Sequence, residues 1–209
     1  MTALANIGLA DPAWQYDDAN ANGERGAAFK YGVMSTDAIC QLDVGAVMAR
    51  DAVLFLWAVS PMLPDAFRVG EAWGFEYKTI GFNWVKTNRD GTPFTGLGHY
   101  TRGNPELCLL FTRGKRLERA DRGVRQLVEA PVDPADLEAW ATEVIYAQRR
   151  EHSRKPDEVM NRIERLYPNV PKLEMFARQR RDGWMAWGNQ VPGGSDIEIP
   201  LKAKQGVLL

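Results

Sequence analysis

The residues with the clearest chemical potential follow the first apolar run of the chain. Residues 7–10 lead directly into Asp11, Pro12, Ala13 and Trp14. An exocyclic purine amine is a poor nucleophile because its lone pair is delocalised into the ring, and two acceptors that hold its hydrogens can free that lone pair. Asp11 and the Pro12 carbonyl are candidate acceptors, and Trp14 is a candidate to stack on a base taken out of its helix. An Asp-Pro pair after a strand is also typical of a plain turn, so the tetrapeptide alone leaves both interpretations open.

The elements that must position this tetrapeptide alternate along the chain. Apolar runs predict five strands, at 7–10, 53–59, 77–85, 107–112 and, as the last central strand, 173–177. Periodic apolar residues with capping signals predict three helices: one opened by Ser35, one at 63–73 stopped by Gly74, and one at 156–166. Residues 133–143 and 144–148 predict a further short helix and strand. This order predicts an α/β fold with a mostly parallel central sheet, helices on both faces and ligands at the carboxyl ends of the strands.

Two long segments without periodicity are candidates for acceptor contacts. Residues 15–30 are polar, and residues 86–105 contain four Gly and two Pro. Long loops inside a compact domain are usually functional or disordered. A third candidate is the basic segment 113–125, which holds six Lys or Arg side chains against two acidic ones. Such a cluster is either a solvated face or a phosphate-contacting surface whose binding weakens with salt.

Composition excludes several function classes. The chain is 45% hydrophobic and 25% charged with a net charge of −1, as in globular proteins. No apolar stretch approaches the roughly 18 to 20 residues of a spanning helix, and the N-terminus lacks a signal peptide, so a cytoplasmic protein without a membrane partner is expected. Two Cys and two His are too few for a disulfide framework or a thiolate zinc site, and Cys108 is expected to be a buried small hydrophobe. No phosphate-binding glycine loop is present, which disfavours nucleotide hydrolysis.

Several blocks in one order resemble the adenine-N6 methyltransferase family named after the seventy-kilodalton MT-A subunit of the messenger-RNA adenosine methyltransferase. The resemblance covers roughly residues 7–191. Its blocks are ADPAW at 10–14, YGVMS at 31–35, LFLW at 54–57, WVKTN at 84–88, GHYTRGNPELCLL at 98–110, HSRKPDE at 152–158, IERLYP at 163–168, and KLEMFAR and GWMAWGNQ within 172–190. It implies a Rossmann-like methyltransferase fold in residues 1–191, with residues 192–209 as a C-terminal tail and the catalytic motif before the cofactor-binding motif.

The resemblance also implies roles for individual residues. The activity it implies is transfer of a methyl group from S-adenosylmethionine to the 6-amino group of adenine, with neither metal nor covalent intermediate. Asp11, Pro12 and Trp14 match the catalytic DPPW-type motif. Residues that match acceptor-side positions are Tyr31, Lys86 and Glu106. Residues that match cofactor-side positions are Lys155, Arg178, Arg180, Asn189 and Gln190, of which Lys155 matches the lysine that holds the cofactor's carboxylate. The nearby Trp184 and Trp187 are interpreted as packing residues.

Three departures from the family pattern bear on function. Ala13 replaces the second proline of the usual motif, so a less rigid turn is expected. Only ten residues precede Asp11, so part of the adenine pocket is expected from elsewhere. Residues 131–147 are interpreted as an insertion for recognition or dimerisation.

The leading hypothesis is a DNA adenine methyltransferase of bacterial or phage type with a short or relaxed recognition sequence. RNA is the alternative acceptor. Two further hypotheses are a non-catalytic binding partner of an active methyltransferase and an enzyme that methylates a free nucleotide or small amine. Retention of both Asp11 and Lys155 favours an enzyme, while the basic segment 113–125 would be superfluous for a small acceptor. A homodimer or a partner protein for target recognition is compatible with each of them.

Overall fold

A computed structural model describes residues 4–15, 34–96, 100–132 and 155–203. The elements in chain order are β1 (Ala5–Ala10), α1 (Thr36–Cys40), β2 (Met48–Ala58), α2 (Leu63–Ala72), β3 (Glu76–Thr87), β4 (Glu106–Arg113), β5 (Leu127–Pro131), α3 (Asp157–Leu166), β6 (Lys172–Met175) and β7 (Trp184–Trp187). Two short 3-10 turns, Val44–Ala46 and Ser60–Met62, flank β2. No described helix has the length and apolar character needed to cross a membrane.

The chain forms two compact units. The first unit consists of Met1–Thr79, Leu109–Glu118 and Asn169–Leu209, and the second of Ile80–Cys108 and Arg119–Pro168. The strands follow the order β5-β3-β4-β2-β1-β6-β7. The pairs β1–β2, β1–β6, β6–β7 and β3–β5 are parallel. The predicted α/β fold with a mostly parallel sheet is confirmed.

Strand β1 organises the first unit because it pairs on both sides. Ala10 at its carboxyl end lies opposite Leu56 of β2 and Met175 of β6. β6 in turn pairs with β7, so that Met175 lies opposite Trp187. Most residues of β1 and β2 are buried, as expected for continuous apolar runs in a parallel sheet. The carboxyl ends of β1, β6 and β7 therefore form one edge of the sheet.

The predicted capping signals form as expected. The Ser35 hydroxyl accepts a hydrogen bond from the Ala38 amide at 3.2 Å and caps α1. Gly74 follows α2 with φ of 83°, a left-handed conformation that favours glycine. Helix α3 follows Pro156 and carries acidic residues in its first turn. Cys108 is completely buried, as expected.

Three strand predictions need correction. Leu173 does lie in a strand, but that strand ends at Met175 because the next residue, Phe176, adopts a left-handed backbone with φ of 62°. It is the last central strand, as predicted, because β7, which the pattern missed, follows it at the edge of the sheet. The pattern also missed β5, a short edge strand of mixed burial, and β3 extends to Thr87, so the long loop begins at residue 88. The helix predicted at 133–143 and the strand at 144–148 lie outside the described residues.

The interpretation of segment 113–125 as a phosphate-contacting surface needs correction at Arg113, whose side chain binds the protein's own backbone. Its guanidinium donates to the carbonyl of Ala49 at 2.9 Å, to that of Gly45 at 3.2 Å and to that of Met48, and it lies over the Phe75 ring. Burial lowers the pKa of Arg113, and Asp43 acts in the opposite direction. Arg113 therefore satisfies carbonyls around the start of β2.

Residues 192–203 belong to the first unit and make specific contacts with the segment that follows α1. The Asp43 amide donates to the Pro200 carbonyl at 2.7 Å, and the Lys202 amide donates to the Gln41 carbonyl at 2.8 Å. Leu201 forms a bridge with Leu42, and Ile199 is buried. These contacts hold the segment that follows α1.

We predict that Gly70→Ala destabilises the fold although alanine is the better helix former. A Cβ at residue 70 would lie 2.2 Å from Cε1 of Phe111, a fully buried side chain. Overpacking of this kind costs about 1–3 kcal/mol, against about 1 kcal/mol gained from helix propensity. Thermal and urea unfolding should show lower stability for this variant. Glu71→Ala, on the exposed side of α2, serves as the control and should change stability little; a Gly70→Ala protein as stable as the wild type would contradict the prediction.

Candidate active site

The tetrapeptide after β1 forms a tight turn at the carboxyl edge of the sheet. The Asp11 amide donates to the Met175 carbonyl at 3.5 Å, and the Trp14 amide donates to the Pro12 carbonyl at 2.9 Å. The Ala13 carbonyl accepts from the Met34 amide at 3.1 Å. Backbone hydrogen bonds thus hold the turn at the position where the family pattern has a second proline. A carbonyl oxygen has two lone pairs, so the Pro12 oxygen keeps acceptor capacity after its bond to Trp14.

Trp14 fixes this turn to the core. Its side chain is 5% exposed, and its indole nitrogen donates to the Trp57 carbonyl at 3.1 Å. A buried indole needs such a partner. In the structure Trp14 is therefore a packing residue that anchors the turn, and its stacking on a base stays a prediction.

The carboxyl ends of β6 and β7 approach each other very closely next to Asp11. The Ala177 amide donates to the Trp187 carbonyl at 2.9 Å, and a Cβ added to Gly188 would lie 2.3 Å from the Ala177 oxygen. The rings of Phe176 and Trp187 pack edge to face at 5.2 Å. The left-handed backbone of Phe176 costs roughly 1–2 kcal/mol, a strain typical of functional sites. The sequence contains no signal for this conformation, since phenylalanine rarely adopts it.

Three of the predicted cofactor residues leave the sheet at this edge. Arg178 follows β6 by three residues, while Asn189 and Gln190 follow β7 by two and three, and all three are exposed. The Gly188 amide donates to the Ser195 hydroxyl at 3.1 Å, which holds the start of the Asn189 turn. The edge therefore combines a guanidinium, two amides and a backbone approach that only glycine permits. This donor and acceptor set fits the adenosine part of a cofactor.

Arg180 is not among the residues that gather at the edge. Its guanidinium donates to the Pro192 carbonyl at 2.9 Å, to the Gly194 carbonyl and to the carboxylate of Asp196, both at 2.6 Å. The hydrogen-bonded guanidinium lowers the pKa of Asp196, whose other oxygen accepts from the Ala186 amide. Arg180 thus holds the segment after β7 against that strand. Its proposed place near the cofactor stays a prediction that would require these contacts to be exchanged.

Arg180 also lines a shallow cleft of about 540 Å³ that includes the amino ends of β6 and β7. Its lining residues are Pro171, Lys172, Arg180, Arg181, Asp182, Gly183, Trp184, Met185 and Asp196. Trp184 is buried in this region, which confirms its interpretation as a packing residue. The cleft extends to the strand ends opposite those that bear Asp11.

The second unit brings together three predicted residues from both sides of the reaction. Glu106 Oε1 lies 2.6 Å from Lys86 Nζ, and Glu106 Oε2 lies 3.2 Å from Lys155 Nζ. The three side chains are 12–19% exposed. We call these residues the Lys-Glu-Lys cluster. It carries a formal charge of +1 in a largely water-excluded site.

Opposing effects set the pKa of Glu106. Burial raises it, but the combined charges and hydrogen bonds of Lys155 and Lys86 outweigh that penalty, and the pKa of Glu106 is lowered overall. The carboxylate therefore stays ionised. The Lys86 ammonium also lies 5.2 Å from the centre of the Trp84 ring, whose indole donates to the Ala130 carbonyl.

The remaining predictions fall partly outside the described residues. Tyr31 and most of the loop 15–30 lie there, as do residues 133–147 of the proposed insertion. Of the basic segment, Lys115 and Arg116 are exposed in the first unit, and Arg119, Arg122 and Arg125 are exposed in the second. Among the described residues, no group of three His, Cys, Asp or Glu side chains is arranged to bind a metal ion.

Comparison with known proteins gives relatives along the whole chain. A family model described as MT-A70 matches residues 6–190. The type II methyltransferase M.MunI of Mycoplasma sp is 33% identical over 212 residues, which is 93% of this chain and 81% of the relative. A probable N(6)-adenosine-methyltransferase MT-A70-like protein of Oryza sativa subsp. japonica is 32% identical over 98% of this chain. The N(6)-adenosine-methyltransferase catalytic subunit METTL3 of Homo sapiens is 29% identical over 88% of this chain. The chain spans only 26% and 28% of the length of the last two proteins.

We predict that Glu106→Gln destabilises the protein in a pH-dependent way. At neutral pH the variant leaves two largely buried lysines without their carboxylate, which costs about 3 kcal/mol. Because the pKa of Glu106 is lowered by folding, its contribution is complete above the ordinary glutamate pKa of about 4.3 and disappears as the pH falls through the lower folded value. Unfolding curves of wild type and variant should therefore differ at pH 7 and converge in acid.

The control is the same substitution in an exposed pair. Glu76 lies 2.5 Å from Lys78, but both side chains are exposed, so Glu76→Gln should cost less than about 1 kcal/mol at any pH. A gap between wild type and Glu106→Gln that stays constant from pH 7 into acid would refute the electrostatic explanation.

Proposed function

Because the chain belongs to the MT-A70 family of methyltransferases, we propose that it transfers a methyl group from S-adenosylmethionine to the 6-amino group of adenine in DNA. The observation that carries this proposal is the Asp11-Pro12 turn, which offers a carboxylate and a carbonyl at the carboxyl edge of β1, beside the ends of β6 and β7. Ligands of open α/β sheets bind at this edge.

The reaction requires little more than correct placement of the amine. S-adenosylmethionine, when bound, supplies the methyl group on a sulfonium that departs as a neutral thioether. The Asp11 carboxylate and the Pro12 carbonyl each accept one amine hydrogen and turn the nitrogen lone pair toward the methyl carbon. With the methyl donor bound, the amine nitrogen would take the methyl group as the thioether leaves, and Asp11 or water would accept the proton that the amine loses. The chain contributes chiefly by orientation and by fixed acceptors.

Holding the cofactor is assigned to residues at two places. Arg178, Asn189 and Gln190 offer a guanidinium and two amides at the edge beside Asp11, where they would hold the ribose and adenine. Lys155 offers an ammonium for the carboxylate of the amino-acid part. Glu106 pairs with that ammonium through one oxygen and with the Lys86 ammonium through the other, so Lys155 is ordered before any ligand binds.

DNA is favoured as the acceptor by the similarity to the type II methyltransferase M.MunI, which is 33% identical over 93% of this chain. The plant and human adenosine methyltransferases are 32% and 29% identical. As part of this proposal, the target is a short or relaxed sequence in the DNA of a bacterial or phage-infected cell, in the cytoplasm. A homodimer or partner protein could extend the recognised site.

RNA is the second candidate acceptor. It is favoured by the similarity to proteins named N(6)-adenosine-methyltransferases in plants and animals. The catalytic turn would act identically on both acceptors, because the 6-amino group of adenine is the same in DNA and RNA. A non-catalytic binding partner is the remaining alternative, and the retention of both Asp11 and Lys155 argues against it.

A labelling experiment separates these functions. The purified protein is incubated with methyl-labelled S-adenosylmethionine and double-stranded DNA, single-stranded DNA or RNA, and the product nucleosides are identified by mass spectrometry. Label in N6-methyldeoxyadenosine supports the proposed function, and label only in N6-methyladenosine supports RNA. Absence of label from every acceptor, together with no cofactor binding in calorimetry, would overturn the proposal in favour of a binding partner.

We predict that Asp11→Ala loses turnover but retains cofactor binding. Removal of one fixed acceptor from a transition state costs about 100- to 1000-fold in rate, while cofactor affinity should change by less than about threefold. Methylation rates and calorimetric titration with S-adenosylhomocysteine measure the two effects separately.

Lys155→Ala provides the opposite pattern as a comparison. It should mainly weaken cofactor affinity, since it removes the ammonium assigned to the carboxylate. Equal losses of rate and affinity in Asp11→Ala would place Asp11 at the cofactor instead of at the amine.

We predict that the exposed arginines of the second unit contribute to DNA affinity through phosphate contacts. Replacing Arg119, Arg122 and Arg125 together by alanine should reduce the slope of log affinity against log salt concentration by about 2–3, because each phosphate contact contributes about 0.9. Fluorescence anisotropy of a labelled duplex at several salt concentrations measures this slope. Lys78→Ala, at an exposed lysine that pairs with Glu76, is the control and should leave the slope unchanged; an unchanged slope in the triple variant would remove these arginines from the interface.

A further inference from the structure

We propose that Asn104 is a positioning residue for the nucleic-acid acceptor: its side-chain amide fixes the loop between β3 and β4 to Lys86 and thereby sets the place of both. This inference rests on the proposed function, since it assigns the described residues of this loop, 88–96 and 100–105, to the acceptor. It concerns a residue to which neither the catalytic motif nor the cofactor site gives a role.

The Asn104 amide pairs with the backbone of Lys86 as a neighbouring strand would. Its Oδ1 accepts from the Lys86 amide at 3.2 Å, and its Nδ2 donates to the Lys86 carbonyl at 2.9 Å. The same Nδ2 donates to the carbonyl of Phe94. The carboxamide of asparagine offers a donor and an acceptor on one planar group, as a backbone peptide does, and the glutamine side chain is longer by a methylene.

Backbone hydrogen bonds connect other described residues of the loop near Asn104. The Phe94 amide donates to the Lys86 carbonyl at 3.0 Å, and the Asn88 amide donates to the Thr92 carbonyl at 2.8 Å. The second half returns through the Gly96 amide, which donates to the Gly103 carbonyl at 2.7 Å. A Cβ at Gly96 would lie 2.6 Å from that oxygen, so the two segments touch through their backbones. Asn104 follows Gly103, and its side chain hydrogen-bonds to Lys86 and Phe94, so it connects the end of the loop with its beginning.

The same contacts connect the loop with the Lys-Glu-Lys cluster. Asn104 holds the backbone of Lys86, and Glu106, two residues later, holds its ammonium at 2.6 Å. Lys86 is thus fixed at both ends by one short segment of chain. The side-chain hydrogen bonds of Asn104 reach only Lys86 and Phe94 among the described residues, so its direct contacts lie on the acceptor side.

The test compares Asn104→Ala with Asn88→Ala in the full-length protein. Asn88 lies in the same loop, and its side chain donates to the Thr92 hydroxyl at 2.9 Å without contacting Lys86. Hydrogen exchange of the Lys86 amide, KM and kcat with a DNA duplex, and calorimetric affinity for S-adenosylhomocysteine are measured for both variants. If wild type methylates only RNA, the same kinetics are run with RNA.

For Asn104→Ala we expect Lys86 amide exchange to accelerate about tenfold through loss of one hydrogen bond, and KM for the nucleic acid to rise about tenfold. kcat at saturating acceptor and cofactor affinity should stay within about threefold of wild type. Asn88→Ala, whose side chain does not contact Lys86, should match wild type in Lys86 exchange.

Three outcomes would overturn the proposal. Unchanged Lys86 exchange would show that Asn104 does not hold the loop. Faster exchange with unchanged KM would show that the loop does not serve the acceptor. A loss of cofactor affinity and thermal stability as large as the change in KM would make Asn104 a merely structural residue. If wild type methylates no nucleic acid, the proposed function fails and the acceptor assignment fails with it, while the exchange measurement still distinguishes whether Asn104 holds Lys86.

Discussion

The parallel pairing of β1 with β6 is the constraint on which the chemistry of the first unit depends. Parallel strands end at the same edge, and the register that places Ala10 opposite Met175 brings the residues after both strands together. Asp11 then follows β1 where Phe176 follows β6. A shift of one residue would turn every side chain of β1 to the other face of the sheet, so burial on both faces protects this register.

Close backbone approach is the second requirement of that edge. Ala177 and Gly188 lie so near each other that a side chain on residue 188 would collide with the Ala177 oxygen. Strand β6 ends at Met175 because the next residue, Phe176, adopts a left-handed backbone conformation. Its ring is held by Trp187, which helps the surrounding structure to maintain a conformation that phenylalanine disfavours. The edge is therefore rigid where the proposed cofactor and amine would meet.

The second unit contains three charged side chains that are largely buried, those of the Lys-Glu-Lys cluster. A buried carboxylate is costly unless it is paired, and Glu106 uses each of its oxygens for a different lysine. Asn104 and Glu106 come from the same short segment, so the backbone and the ammonium of Lys86 are ordered together.

The local elements and the family could be predicted from the sequence. Continuous apolar runs predicted most of the strands, Ser35 and Gly74 marked helix ends, and the ordered blocks identified the methyltransferase family, because these features depend on neighbouring residues or on direct comparison. Other features could not be predicted because they depend on contacts between residues that are distant along the chain. By sequence, Arg113 is one of the six basic side chains of the candidate phosphate-contacting segment 113–125. In the structure it donates hydrogen bonds to three carbonyls around the start of β2. Lys86, Glu106 and Lys155 were assigned to separate acceptor and cofactor roles, and folding joins them in one cluster, since ion pairs depend on distance in space and not on spacing along the chain.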